Sequence, residues 1–412
     1  MKSAYKRIGN YVKLVDERNI DLKINLLLGL SISKEFIPSV ANIIDTDMTN
    51  YKIIRRNQFA CSIMQVRRDR KMPVALMQNF DEAIISQAYP VFEISNTNLL
   101  LPEYLMMWMS RSEFDREACF LAVGGVRGSL EWEDFCNMQL PIPDIDTQRE
   151  IVKEYHTIVT RIKLNERLNQ KLEETAQAIY KQWFVDFEFP DENGKPYKSN
   201  GGHMVWSKEL KQDIPNGWEP MKIKAFCADM KNGATPSRDE VEYWNSADIP
   251  WIKTGEISNN VIIEAEEYIS FLGHKSSSTQ KFPLNTVLMA MYGVTAGQLG
   301  FLKFETTTNQ ACCGMICHNL LDATYLFYSL LNSQKYIETL SNGGAQSNLS
   351  KTIIEDLYII KPLPKVHIRH PFIQILNSIE NCTRQILLLK KLSGILFAKM
   401  SKPELLVTEQ PA

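Results

Sequence analysis

The sequence predicts an α+β chain. Two mixed α/β domains are expected to be separated by two long helices that pack antiparallel as a coiled coil, the whole forming a pseudo-two-fold internal repeat. The passage GGVRGSLEWEDFCNMQLPIP at 124–143 returns as GGAQSNLSKTIIEDLYIIKPLP at 343–364. Gly124, Gly125 and Leu130 fall on Gly343, Gly344 and Leu349 at one constant offset, and after a two-residue insertion Pro141 and Pro143 fall on Pro362 and Pro364. Each passage runs directly into a long helical pattern. A chain of 412 residues is also too long for one ordinary core and suits two domains with connecting elements.

Residues 1–147 form the first domain, mixing β-rich runs such as YKIIRRNQFACSIM and EAIISQAYPVFEI with one helix, PEYLMMWMSRSEFDREAC. Thr147 opens the first long helix (148–185), with Glu150 three residues on in the capping-box arrangement. No Pro or Gly interrupts it as far as Trp183, and at ~1.5 Å per residue the rod is roughly 50 Å long. Ile151, Tyr155, Ile158, Ile162, Leu168, Leu172, Ala176 and Ile179 form a stripe at spacings of three and four, the period of an amphipathic helix, save for one step of six after Ile162. The stretch 186–215 is rich in Gly, Pro, Asn and Ser and reads as a connector. A second mixed domain, 216–366, places strands at PWIKTGEI and NTVLMAMYG and a helix at ATYLFYSLLNSQKYIETL. The second long helix, 367–402, has Pro371 in its first turn and its own stripe of Phe372, Leu376, Ile379, Ile386, Leu389, Leu396 and Met400. The tail 403–412 is expected to fray.

Each stripe needs a partner, and the two stripes suit each other. Ile158, Leu168, Leu172, Ile179, Ile379, Ile386 and Leu389 are therefore the candidate partner-binding positions. Asn165, aligned with Ile386, either sits in the core of the pair and fixes its register or lies on a solvated edge.

The composition, 44% hydrophobic and 23% charged, is that of a globular protein, and no run of eighteen apolar residues predicts a membrane span. The start, MKSAYKRIGNYVKLVDERN, lacks the apolar core of a signal peptide, and eight irregularly spaced cysteines read as reduced thiols in a cytoplasm. A net charge of -2 is no global sign of a nucleic-acid partner, so local clustering decides. Within 52–71, Lys52, Arg55, Arg56, Arg67, Arg68, Arg70 and Lys71 face only Asp69 in the sequence, interleaved with Gln58 and Phe59 and preceded by Tyr51. A solvated face is the plain alternative, but seven cations against one anion favour phosphate contacts. The second domain offers Lys231, Arg238, Lys253, Lys275 and Lys281, more dispersed. Arg127 and Gln346 occupy equivalent places after the two Gly-Gly pairs, with Asn348 nearby; Arg suits a guanine edge and Gln or Asn an adenine edge. These turns either read bases or merely connect elements.

Catalytic motifs are missing from the sequence. There is no G-x-x-x-x-G-K-[ST] loop, no G-x-G-x-x-G after a strand, and no Asn/Asp-Pro-Pro-aromatic motif. PDENGK at 190–195 looks superficially like a nuclease acidic cluster but reads better as a surface turn. Cys312, Cys313, Cys317 and His318 lack the two spaced pairs of a structural zinc site, and the six histidines suggest no triad. The chain alone is expected to catalyse nothing and to hold no metal.

Several stretches resemble the specificity subunit of type I restriction-modification systems: IPNGWE at 214–219, NGATPS at 232–237, YW at 243–244, IPWIKTGEI at 249–257, NQA at 309–311 and the connector KQWFVDFEFPDENGKPYKSNGG. The first unit is similar in YVKLVDERN and KEFIPSVAN, and the resemblance covers essentially the whole chain. It departs from the pattern in two places: the first unit has no counterpart of GATPS or IPW, and the second helix begins KVHIRHPF where the family has Glu-Gln, of which the first copy keeps Gln148. The resemblance implies two target-recognition domains, each reading one half of a split double-stranded DNA sequence, and adds Thr235 and Ser237 to the DNA-contacting candidates. It implies that the helices dock two methyltransferase subunits, that restriction/translocase subunits join them, and that S-adenosylmethionine, ATP and Mg reside on those partners, with no cofactor in this chain. The rival reading is a coiled-coil scaffold that clamps partner proteins without DNA, which the near-neutral charge favours.

Overall fold

A computed structural model describes residues 5–39, 47–64, 66–124, 128–340 and 348–401. The chain forms two compact units, one of Met1–Arg161 with Leu388–Ala412 and one of Ile162–Leu387, so each long helix contributes to both.

In the first unit, strands Val12–Val15, Phe59–Cys61, Val74–Leu76 and Val91–Ile94 make an antiparallel sheet whose spatial order places the last strand beside the first. Phe59 and Phe92 stack at 4.8 Å across neighbouring strands, and Phe135 and Trp132 close over Phe92. Strand Lys52–Arg55 pairs antiparallel with Glu82–Ile85. Tyr5–Arg7 pairs with Gln139–Pro141, and the buried Tyr104 of helix Pro102–Met109 donates its hydroxyl to the Pro141 carbonyl at 3.1 Å.

The second unit repeats this plan. Strands Asp229–Asn232, Val287–Ala290, Leu299–Leu302 and Cys312–Ile316 take the same spatial order with the same antiparallel pairings, and Asn260–Ile262 adds a fifth, parallel strand. Glu219–Lys222 pairs with Tyr358–Lys361, and Tyr325 of helix Leu320–Asn332 donates to the Ile360 carbonyl as Tyr104 does in the first unit. The repeat therefore extends through the N-terminal halves, where the two sequences show no correspondence. Strand order depends on the alternation of buried side chains, which many residues satisfy.

The first long helix spans Ile145–Tyr180 and continues as a wider turn over Lys181–Val185. Asp144, rather than Thr147, caps it: its Oδ1 accepts the Asp146 and Thr147 backbone N–H groups at 3.1 and 2.9 Å, and its Oδ2 accepts the Thr147 hydroxyl. A carboxylate gains from the helix dipole as well as from the bonds, and those bonds hold its pKa below the usual range. The second helix spans Phe372–Met400. In the second unit Asn165 Nδ2 donates to Gln385 Oε1 at 3.1 Å and Asn169 Nδ2 to Thr383 Oγ1 at 3.2 Å. The descending partner numbers mark antiparallel pairing. In the first unit, Tyr155 packs against Phe397 with ring centroids 5.4 Å apart.

Asn165 is 4% exposed, so it belongs to the inward stripe. Leu168, read as a stripe residue from its hydropathy, is 47% exposed. A strict alternation of three and four leads from Ile158 through Asn165 and Asn169 to Leu172 and leaves Leu168 outside, because register follows the helical period rather than hydropathy at one position.

Candidate nucleic-acid interface

The basic segment of the first unit is folded into two different roles. Antiparallel pairing sets Arg55 directly opposite Glu82; the guanidinium bonds Glu82 at 2.5 Å and Glu17 at 2.6 Å, and these carboxylates, Glu17 foremost, raise its pKa. Arg56 pairs with Asp81 at 2.9 Å, and Lys52 lies 3.6 Å from Asp16. Their anions come from sequence positions outside 52–71, so a count along the sequence misses them. Cross-strand neighbours are the signal that carries them.

Arg67 serves structure. Its guanidinium donates to the Gly124 carbonyl at 3.1 Å and the Ala122 carbonyl at 2.7 Å, and its stem lies where a Cβ on Gly128 would stand, 2.7 Å from the Arg67 Cβ. It thus fastens both described ends of the first Gly-Gly passage. Arg68 pairs with the adjacent Asp69 at 2.6 Å. Arg70 and Lys71 are exposed and carry no ion pair among the described residues. Arg127 and Gln346 lie outside the described residues, whereas Asn348 is exposed and bridged to Tyr292.

In the second unit the short motifs converge. Gly233 sits so close to Thr308, which ends a short strand, and to the following Asn309 that no side chain fits, and Ala234 N donates to the Thr308 carbonyl at 2.9 Å. Thr235 Oγ1 donates to Gln310 Oε1 at 2.5 Å, which joins NGATPS to NQA. Trp251 Nε1 donates to the Ala234 carbonyl at 3.0 Å and Trp244 Nε1 to the Ser237 carbonyl at 2.9 Å. Arg238 lies over Trp244, its guanidinium carbon 3.5 Å from the ring centroid, with Trp251 at 4.8 Å and Glu267 paired at 2.8 Å. Lys253 bridges Glu266 and Glu267 at 3.2 and 2.9 Å, and its contacts, with those of Arg238, keep the Glu267 carboxyl below its ordinary pKa. The two tryptophans, spaced by the YW and IPW motifs, complete a group that charge counting overlooks.

The remaining cations are scattered: Lys231 lies 3.7 Å from Asp229, Lys281 pairs with Glu305 at 3.1 Å, and Lys275 is exposed with no ion pair among the described residues. Cys312 and Cys313 pack into separate hydrophobic clusters, and burial pushes both thiols up to about 12, away from the thiolate that a metal needs. Asp191 of PDENGK accepts the Asn193 and Lys195 N–H groups, as a turn residue does.

Among the candidate partner-binding positions, Ile158 and Ile379 are buried within their own units, Leu172, Ile179, Ile386 and Leu389 are half-buried, and Leu168 is exposed. Leucines and isoleucines that the long helices leave in solvent include Leu164 and Leu168 in the second unit and Leu388, Leu392 and Ile395 in the first. Leu392 and Ile395 line a groove of 460 Å³ with Lys153, Glu154 and Thr157. Their i, i+4, i+7 spacing becomes visible as a second face only once the inward stripe has been assigned.

A family profile described as "Type I restriction modification DNA specificity domain" matches residues 67–174 and 215–391. The HindI type I restriction enzyme specificity subunit of Haemophilus influenzae is 25% identical over 379 residues, covering 79% of this chain and 81% of the relative. The MjaIX specificity subunit of Methanocaldococcus jannaschii is 25% identical over 311 residues, covering 74% and 69%. The crystal structure of a type I restriction-modification S subunit from M. genitalium superposes with a TM-score of 0.57 at 10% identity, covering 96% of this chain and 95% of that one. With both units matched by the profile over most of their length, the chain belongs to the type I restriction modification DNA specificity domain family.

Proposed function

We propose that this chain is the DNA-recognition subunit of a type I restriction-modification complex, each unit reading one half of a bipartite double-stranded target. The observation that carries this reading is the four-stranded sheet repeated with one strand order in both units of a chain of this family. Tandem readers built alike but lined with different side chains suit two unlike half-sites. Arg70 and Lys71 in the first unit, and Lys275 in the second, are exposed cations available to phosphates. Arg127, Gln346, Asn348, Thr235 and Ser237 are the candidate base-proximal groups.

The exposed leucines and Ile395 of the long helices offer docking surface for two methyltransferase subunits, with restriction/translocase subunits joining that assembly. S-adenosylmethionine, ATP and Mg belong to those partners, and this chain supplies recognition rather than catalysis. No helix among the described residues is long and apolar enough to cross a membrane, and the cytoplasm is the compartment that suits a partner of DNA. A protein-binding scaffold without DNA draws no support from the relatives.

Footprinting of the complex formed with the methyltransferase subunits tests the proposal. Two protected patches separated by an unprotected spacer are expected, and exchange of residues 1–147 for those of a relative alters only one patch. A single continuous patch, or equal binding to all sequences, refutes it. Log affinity is also expected to fall steeply with log salt, as phosphate contacts require and a peptide clamp does not.

A further inference from the structure

Strands Phe59–Cys61 and Val287–Ala290 hold the same place in the two sheets, and each runs into a chain reversal before the next strand. The two reversals share no sequence pattern, yet both are gripped alike: Leu130 N donates to the Ile63 carbonyl at 2.9 Å, and Leu349 N to the Met291 carbonyl at 2.8 Å. Leu130 and Leu349 are the residues that align at the ends of the two Gly-Gly passages. The reversals are therefore structural counterparts, each bonded to the residue that follows its Gly-Gly passage.

Their chemistry differs. The first carries Arg68, Arg70 and Lys71. The second, at 292–295, carries no charge and presents Val294 at 102% exposure beside the half-exposed Tyr292. Single exposed apolar residues are common, but this one tops a turn whose backbone is tightly constrained. Gly297 N donates to the Ala290 carbonyl at 2.9 Å, Ala296 N to the Gly293 carbonyl at 3.1 Å and Gln298 N to the Thr295 carbonyl at 2.9 Å. Gly293 and Gly297 take φ of 74° and 86°, a region that favours glycine. A small branched apolar group held rigidly in water, on the counterpart of a cationic turn, matches the one apolar feature of the major groove, the thymine C5-methyl.

We propose that Val294 is a specificity-determining residue of the second unit, packing against a thymine methyl in its half-site. This rests on the DNA-recognition reading. The test uses the complex with its methyltransferase subunits and a duplex whose target is mapped from methylated adenines in the host genome. Val294→Ala is expected to weaken the cognate duplex by roughly four- to tenfold while leaving random duplex and the melting temperature unchanged. Uracil in place of one thymine of that half-site should produce the same loss in the unmodified complex and no further loss in the variant. Full cognate affinity in Val294→Ala, or equal loss on cognate and random DNA, overturns the assignment while leaving the broader reading intact. An unmodified complex with no sequence preference overturns both.

Discussion

Gly233→Ala probes whether the NGATPS loop is held by close backbone contact. A Cβ there would stand 2.1 Å from Thr308 Oγ1, 2.2 Å from the Thr308 carbonyl oxygen and 2.4 Å from that of Asn309. Two of these atoms are backbone, so no side-chain rotation relieves the overlap, and the loop has to retreat by about 1 Å to restore ordinary contact. That retreat breaks the 2.9 Å bond from Ala234 N to Thr308 and disturbs the 3.0 Å bond from Trp251 to Ala234. Overpacking costs about 1–3 kcal/mol and a lost buried hydrogen bond about 1 kcal/mol, so about 2–4 kcal/mol of destabilisation is expected. Gly255→Ala is the control: nothing lies within 4 Å of its Cβ, and its effect should stay within about 0.5 kcal/mol. Urea unfolding followed by tryptophan fluorescence reads both variants, with Trp244 and Trp251 beside the loop. If Gly233→Ala unfolds with Gly255→Ala, the account of the loop is wrong.

Asn165→Leu should raise thermal stability by about 1 kcal/mol while loosening helix register, because it trades a buried amide for apolar contact; a lower melting temperature would contradict this. His370 is 3% exposed among Phe184, Tyr325 and Phe372, and burial, helped by the nearby His367, lowers its pKa to about 3. Between pH 6.5 and 3 the unfolded chain then binds a proton that the folded chain refuses. Stability present above pH 6.5 should accordingly fall as the pH drops through that window, by about 1.4 kcal/mol per unit. His370→Phe should flatten the fall in acid denaturation curves, and an unchanged slope would exclude His370 as its source. Lys71→Ala should reduce the slope of log affinity for DNA against log salt by about 1. Arg55→Ala should change it less, since Glu17 and Glu82 already neutralise that guanidinium, and the reverse order of slopes would place the phosphate contacts on strand Lys52–Arg55.

The repeated Gly-Gly and Pro-x-Pro passages, and the helical period that follows each, were legible because they depend on local backbone demands and on a spacing that a sequence displays directly. The same is true of NGATPS and NQA as motifs. What the sequence did not display was that Thr235 bonds Gln310, seventy-five positions away, or that Arg55 faces Glu82. A count along the sequence therefore overstates the unpaired charge of the basic cluster, since strand pairing brings carboxylates from elsewhere to Arg55 and Arg56. Residue type points to Thr147 and Leu168, whereas the cap and the helix register are set by geometry over several residues, which selects Asp144 and leaves Leu168 in solvent.

By itself, the sequence determined that two similar units alternate with two long amphipathic helices, because periodicity and turn chemistry are properties of short stretches of chain. The tertiary structure decided which cations stay free, which face of each helix is spent on the chain's own core, and that the dissimilar N-terminal halves each fold on the same strand order. Those outcomes depend on which distant residues become neighbours, and pairing energies act on proximity in space whatever the separation along the chain.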